Sequence, residues 1–339
     1  MPRPRQHFGF TMIELLVTIS ILVILAVITI PTVRFLSKGR QTLESANYLG
    51  SALVAAKSRA MSDGLAGVVI VRNPNFKNGN GGHRVYQVRA PLPFSGYGSG
   101  SIAIVDIANR QASLPVVYDP ALLNINDYVQ FNKRGAVYRV TNVQVDPSDP
   151  ARTLLDFFVR PIDPPLPDPT GTGITSMTFT VFRRPVPIPS TIVELPRGFM
   201  VDLEFSGHGA RGDQFFLNPP PTLADLTNPA LDFNVIILFN EKGGVEHVFR
   251  SGWGSAPEIP LGPVNFLVSE YDVRLGNDPV LNASRTLLNR RNHWISVNYM
   301  SGAVTLSNVA DTVVDPLVDK GLALSNSRQL TRTGTTVIE

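Results

Sequence analysis

The chain has 339 residues, 43% of them hydrophobic, with 28 prolines, 27 glycines, no cysteine and a formal net charge of +3. The lack of cysteine excludes disulfides, thiolate metal sites and thiol catalysis, and so many turn residues beside that hydrophobic content point to a β-rich body with a packed core. The charge does not mark a nucleic-acid binder: of 30 Lys+Arg and 27 Asp+Glu, seven and three fall in residues 1–63, which leaves 23 against 24 for the rest, so no nucleic acid is expected as a partner.

The chain opens with a short leader, residues 1–9, carrying Arg3 and Arg5. An apolar run of 22 residues follows, from Phe10 to Pro31. As a helix it would rise about 1.5 Å per residue and span about 30 Å, enough to cross a bilayer. Only Thr11, Glu14, Thr18, Ser20 and Thr29 in it are polar, and helical hydroxyls can bond back to the helix's own carbonyls. A carboxylate in such a segment is costly and marks a functional position. The run exceeds a secretory h-region and no small-x-small site closes it; a plain anchor has no reason to keep Glu14.

The stretch Gly9-Phe10-Thr11-Met12-Ile13-Glu14-Leu15-Leu16 ahead of an apolar helix resembles the cleavage and methylation signature of type IV prepilins and type II secretion pseudopilins. The resemblance implies that a prepilin peptidase cuts between Gly9 and Phe10 and N-methylates the new amine of Phe10. It makes Glu14 the glutamate which that family conserves. Because a buried carboxylate and a buried ammonium offset each other's desolvation, Glu14 is expected to dock each subunit on the Phe10 amine of a neighbour. It further implies other pilin or pseudopilin subunits and an inner-membrane assembly platform as partners. The expected location is the inner membrane, single-pass with the N-terminus cytoplasmic, the head becoming periplasmic or cell-surface after assembly. Arg3 and Arg5 favour that orientation, but Arg34, Lys38 and Arg40 flank the far side, so it rests on the resemblance.

Pro31 removes one backbone hydrogen bond and predicts a kink rather than a stop. The helix is expected to continue, because Leu43, Ala46, Leu49 or Gly50, Leu53, Ala56 and Ala60 recur at helical spacing while Gln41, Glu44, Ser51, Lys57 and Arg59 mark the other face. Asp63-Gly64 supplies the end. The segment from Ser45 through Ala60 into Val68-Val69-Ile70-Val71 is similar to the GspH/FimT group of minor pilins and pseudopilins, in which such a helix leads into the first strand.

From Gly64 the chain reads as short strands between turn signals: 65–72, 84–89, 102–107, 128–131, 136–145, 154–159, 175–183, 200–205, 233–239, 245–250, 264–268, 294–299 and 303–306. Two tight hairpins are expected, at 240–244 and 300–302; the hairpin at 300–302 is similar to the one that closes pseudopilin heads. Pro/Gly-rich loops at 73–83, 91–100, 161–173, 185–189 and 218–230 hold the length beyond a minimal pilin head. The predicted fold is α+β: a long N-terminal helix over 10–63, membrane-spanning over 10–30, packed on one antiparallel β-rich pilin-like head over 64–320. Residues 321–339, polar and without alternation, read as a disordered tail.

Catalytic signals are absent. His7, His83, His208, His247 and His293 are scattered without metal spacing. Asp146 to Asp149 and Asp163 to Asp168 lack the Asp-x-Asp-x-Asp-Gly order and read as turn formers rather than a calcium loop. Gly171-Thr172-Gly173 lacks the lysine of a phosphate loop, and Arg285, Arg290 and Arg291 read as a solvated face. Arg211-Gly212-Asp213 and the sequon Asn282-Ala283-Ser284 are assigned no role. No cofactor or metal is expected. The expectation is a non-enzymatic structural subunit, a minor pseudopilin of a type II secretion machine; the alternative is a minor type IV pilin in adhesion or DNA uptake, and a membrane-tethered binding protein or hydrolase stands behind both.

Overall fold

The computed structural model describes residues 12–98, 101–120, 122–133, 135–161, 164–168, 171–227, 233–252, 255, 257–271, 286–311, 314–333 and 337–338; at 28–38, 78, 227, 332–333 and 337–338 it describes the backbone alone. An N-terminal helix, α1 (Met12–Asp63), stands on a large antiparallel β body. The helix runs through Pro31 and stops where Gly64, at φ +92°, returns its N–H to the Ala60 carbonyl. That left-handed stop is one glycine adopts without steric cost.

Strand β1 (Ala66–Arg72) turns through a short 3-10 segment (Lys77–Gly79) into β2 (Gly81–Arg89). The chain then leaves this sheet for β3 (Ile102–Asp106), β4 (Gln111–Leu114), β5 (Tyr128–Phe131), β6 (Val137–Val145), β7 (Thr153–Phe158) and β8 (Ile174–Phe182). These six close into an antiparallel barrel in the order β3-β4-β7-β6-β5-β8, β3 pairing back on β8 with Ile104 opposite Ser176. Their inward positions, among them Ala103, Val105, Leu155, Phe157, Phe179 and Val181, form the barrel's own core. The expected single head therefore contains a barrel with a core of its own, inserted between β2 and the rest of the first sheet, and the length beyond a minimal head lies in that barrel rather than in the Pro/Gly loops alone.

The first sheet resumes with β9 (Val186–Pro187), β10 (Val193–Glu194), β11 (Phe199–His208), β12 (Val235–Phe239), β13 (Val245–Phe249), β14 (Val264–Glu270), β15 (His293–Val297), β16 (Val304–Asn308) and β17 (Val337–Ile338). Its order is β13-β12-β1-β2-β11-β14-β15-β16-β17, with β9 and β10 also on β2. It wraps α1, which packs on strands from both ends of that order. The two ends come together where the Val245 N–H donates to the Tyr299 carbonyl at 2.8 Å. Inside the wrap, Ala46, Leu49, Leu53, Ala56 and Ala60 of α1 are buried against Val68, Ile237, Phe266 and Ile295. The small side chains let helix and sheet approach closely. All thirteen expected strands are present; β4, β9, β10 and β17 are additional.

The stretch expected to be a disordered tail is partly helical: α3 (Lys320–Ser327) and α4 (Gln329–Thr333) follow the short α2 (Leu223–Thr227). Asp319 caps α3 by accepting the Leu322 N–H at 2.8 Å. Ala323 and Leu324 join Phe205, Leu267 and Trp294 in a cluster of their own. Between the helices Arg328 is buried, donating to the carbonyls of Phe205, Gly209, Ala210 and Gly212 and stacking 4.6 Å over Trp294. Polarity is a poor guide to order here, because this arginine spends its charge on backbone dipoles instead of on water.

Candidate functional site

The two halves of α1 differ in what covers them. Over 46–60 its apolar face is inside the sheet, though Leu43, expected on that face, is 40% exposed. Every described side chain from Met12 to residue 27 is exposed, with Leu22 at 62% and Val27 at 67%. A helix this apolar and bare on all sides is a surface that water does not cover stably. Its hydroxyls add nothing polar to that surface. Thr18 Oγ1 donates to the Glu14 carbonyl, and Ser20 Oγ to the Leu16 carbonyl at 2.8 Å.

Glu14 is the acid in this surface, on a face shared with Ile13, Val17, Thr18 and Ile21. Gly9 and Phe10 lie outside the described residues, as does the side chain of Pro31, through which the helix continues. Among the described residues no helix is long and apolar enough to cross a membrane.

The other candidates of the sequence have structural surroundings. Asp146 accepts from Ser113 Oγ and from the Ser148 hydroxyl and N–H, bonds that hold its carboxyl down at about 2. Asp168 accepts the Gly173 N–H at 2.9 Å. His208 Nε2 sits 3.2 Å from Glu258, while burial pulls His247 and His293 below the usual histidine range. Among the described residues no group of three or more His, Asp or Glu is arranged to hold a metal. Gly212 and Asp213 help dock α3, the former through Arg328 and the latter through Lys320 at 2.6 Å. Arg290 pairs with Asp311 in the open. Asp163, Arg285 and the sequon at 282–284 lie outside the described residues.

Two features had no signal in the sequence. Cavities of about 220 and 430 Å³ lie where the barrel meets the back of the sheet, both walled by Pro91 and Arg183. The buried trio Lys77, Asp202 and Glu204 lies apart from them, on the turn between β1 and β2 and on β11. Lys77 sits in an Asn/Gly loop that reads as solvated, and its acids are 125 and 127 residues away.

Residues 4–30 match the family model described as the prokaryotic N-terminal methylation motif. No curated protein and no solved structure matches the chain. The motif is the prepilin-type motif of type IV pilins and pseudopilins. It implies processing by a prepilin peptidase and assembly with other pilin subunits, and it points to a membrane-anchored N-terminus before assembly.

Proposed function

We propose that this chain is a structural subunit of a type II secretion pseudopilus, in the role of a minor pseudopilin. On this reading the peptidase removes residues 1–9, the helix from Phe10 to Ile30 crosses the inner membrane with its N-terminus cytoplasmic, and the kink at Pro31 sets the body's direction. The observation that carries the reading is the change of cover along α1: the half inside the matched motif is bare and apolar, and the half beyond it is a packed core element. Lipid covers such a surface first, and neighbouring helices cover it after assembly.

Glu14 then has a partner of definite chemistry. Cleavage leaves Phe10 with an amine that stays cationic after methylation. A carboxylate and an ammonium brought together in apolar surroundings offset each other's desolvation, whereas either alone costs several kcal/mol. Each incoming subunit docks when its Glu14 meets the Phe10 amine of a neighbour.

The test is the mature N-terminus of protein taken from native membranes, read by mass spectrometry, together with the phenotype of a deletion strain. A chain starting at N-methylated Phe10 and a loss of protein secretion are expected. An intact Met1, or a cut beyond residue 30, overturns the pathway. Lost surface filaments with normal secretion would instead assign the chain to a type IV pilus.

A further inference from the structure

Lys77 occupies a position that neither its backbone nor its charge favours. Its φ is +46°, in the left-handed region that glycine and asparagine fill at least cost. Its side chain is 4% exposed, and its ammonium lies 4.7 Å from the centroid of the Phe205 ring. Nζ is 2.5 Å from Oδ2 of Asp202, whose side chain is wholly buried, and 3.0 Å from Oε2 of Glu204, 14% exposed. The other oxygen of Asp202, Oδ1, accepts the Glu204 backbone N–H at 3.1 Å.

Two carboxylates and one ammonium in so dry a place leave one negative charge in excess. Burial, and then the like charge of Glu204, push the Asp202 carboxyl up to about 6 against the pull of Lys77. Burial opposes the Lys77 charge, but the two carboxylates outweigh it and hold the ammonium above the usual lysine range. Only a minor population therefore passes a proton along the 2.5 Å contact to Asp202, which removes two of the three charges at once. That state holds a neutral amine against a neutral carboxylic acid. With Nζ in contact with Oδ2, which is bonded to Cγ, amine and carboxyl are held as neighbours, so the entropic cost of bringing the two groups together is already met.

We propose that Lys77 and Asp202 condense in the folded protein to an intramolecular amide, with Glu204 carrying the proton. The Nζ lone pair attacks Cγ and the N–C bond forms, while Oδ1, held by the Glu204 N–H, takes the developing charge. The Glu204 carboxylate accepts a proton from the nitrogen and delivers it to the Oδ2 hydroxyl. The Cγ–Oδ2 bond breaks and water leaves. Amine and acid give amide and water, nothing is oxidised or reduced, and Glu204 ends as it began. The neutral pair need only be a minor population, since each chain reacts once and an amide in a dry site does not readily revert.

The bond would join the β1–β2 turn to β11, across the point where the barrel is inserted. A chain without cysteine has no disulfide to serve as such a tie. The amide would tie β2 to β11 where they pair at Asp202 and Gly81, closing residues 77–202, barrel included, into one covalent loop.

The intact mass of the denatured full-length protein tests this. One water less than the sequence mass is expected, with tryptic segments 73–84 and 198–211 recovered as one branched peptide joined at Lys77 and Asp202. Glu204→Gln, which keeps the backbone N–H on Asp202, is expected to show the full mass and no branched peptide, trypsin now cutting after Lys77 to give 73–77, 78–84 and 198–211 separately. Wild-type protein at full mass overturns the proposal, as does a water loss mapping to Asp63–Gly64. A branched peptide equally abundant in Glu204→Gln overturns the proton-carrier role.

Discussion

Gly302 and Gly243, from turns at opposite ends of the large sheet, touch so closely that a Cβ on Gly302 would fall 1.9 Å from the Gly243 carbonyl oxygen. Lys57 and Met61 of α1 lie against the same spot. Both glycines have positive φ, +60° and +80°. Here the two ends of the strand order meet over the helix.

Gly302→Val is therefore expected to force the turns apart, combining backbone strain with the clash. Such changes cost on the order of 2–4 kcal/mol. The urea midpoint should fall, and amide exchange should quicken along 46–60 of α1 more than in the barrel strands. An unchanged midpoint would mean that the contact between the turns does not hold the wrap closed.

Another expectation concerns Glu14. Glu14→Leu makes the exposed half of α1 more apolar, so membrane retention should be unchanged and cleavage at Gly9 should proceed. Incorporation into filaments should drop by a factor of about 100, because an unpaired ammonium in an apolar fibre core costs several kcal/mol. Fractionation of sheared filaments reads this directly. Normal incorporation of the leucine variant would remove Glu14 from the assembly mechanism.

What the sequence discloses and what it conceals follow from how local each signal is. The helix over Ala46, Leu49, Leu53, Ala56 and Ala60 is legible because its periodicity is local; those five are buried together with Ala52, whereas Leu43, read onto the same face, is 40% exposed. Alternation likewise marks β6 or β8, but says nothing about which sheet a strand joins. Barrel closure depends on β3 meeting β8, with Ile104 opposite Ser176, and no local pattern records that. β4 escapes detection because Gln111-Ala112-Ser113-Leu114 alternates over only four residues, none of them β-branched or aromatic. The N-terminal motif sits at the other extreme: Gly9, Phe10 and Glu14 are read one after another, and no tertiary contact is needed to see them. Lys77 and Asp202 become neighbours only after the chain has gone around the barrel and come back.

Arg328 offers a third test. It donates to four carbonyls at the foot of α3, so Arg328→Met leaves those acceptors in a dry site. Each such loss costs about 1–3 kcal/mol, offset in part because methionine no longer buries a charge, so a net destabilisation of about 3 kcal/mol is expected. The α3 segment should loosen first and let water reach Trp294, which is fully buried in the native protein; its fluorescence should shift to the red before global unfolding. Coincident transitions by fluorescence and circular dichroism would show that the tail does not open on its own.

The last expectation is a pH dependence from Asp127, at the junction of barrel and sheet. Burial raises its carboxyl to about 6, although the N–H groups of Asn124 and Arg184 and the charges of Arg183 and Arg184 pull the other way. The unfolded chain releases that proton near 3.8. Between the two values the folded state holds the proton and the unfolded state does not, so stability falls as pH rises through this window. Above about 6 the whole penalty, of order 3 kcal/mol, is present; below 3.8 it vanishes. Urea midpoints at about pH 7.5 and about pH 4.5, compared between wild type and Asp127→Asn, isolate this group, because the other carboxylates, Asp202 among them, are common to both. The difference between wild type and variant should shift in favour of wild type by about 2 kcal/mol on acidification, since part of the penalty remains at about pH 4.5. An equal response in both proteins would mean that Asp127 is solvated in the native state, and that the 430 Å³ cavity it lines is filled with water well enough to keep a charge.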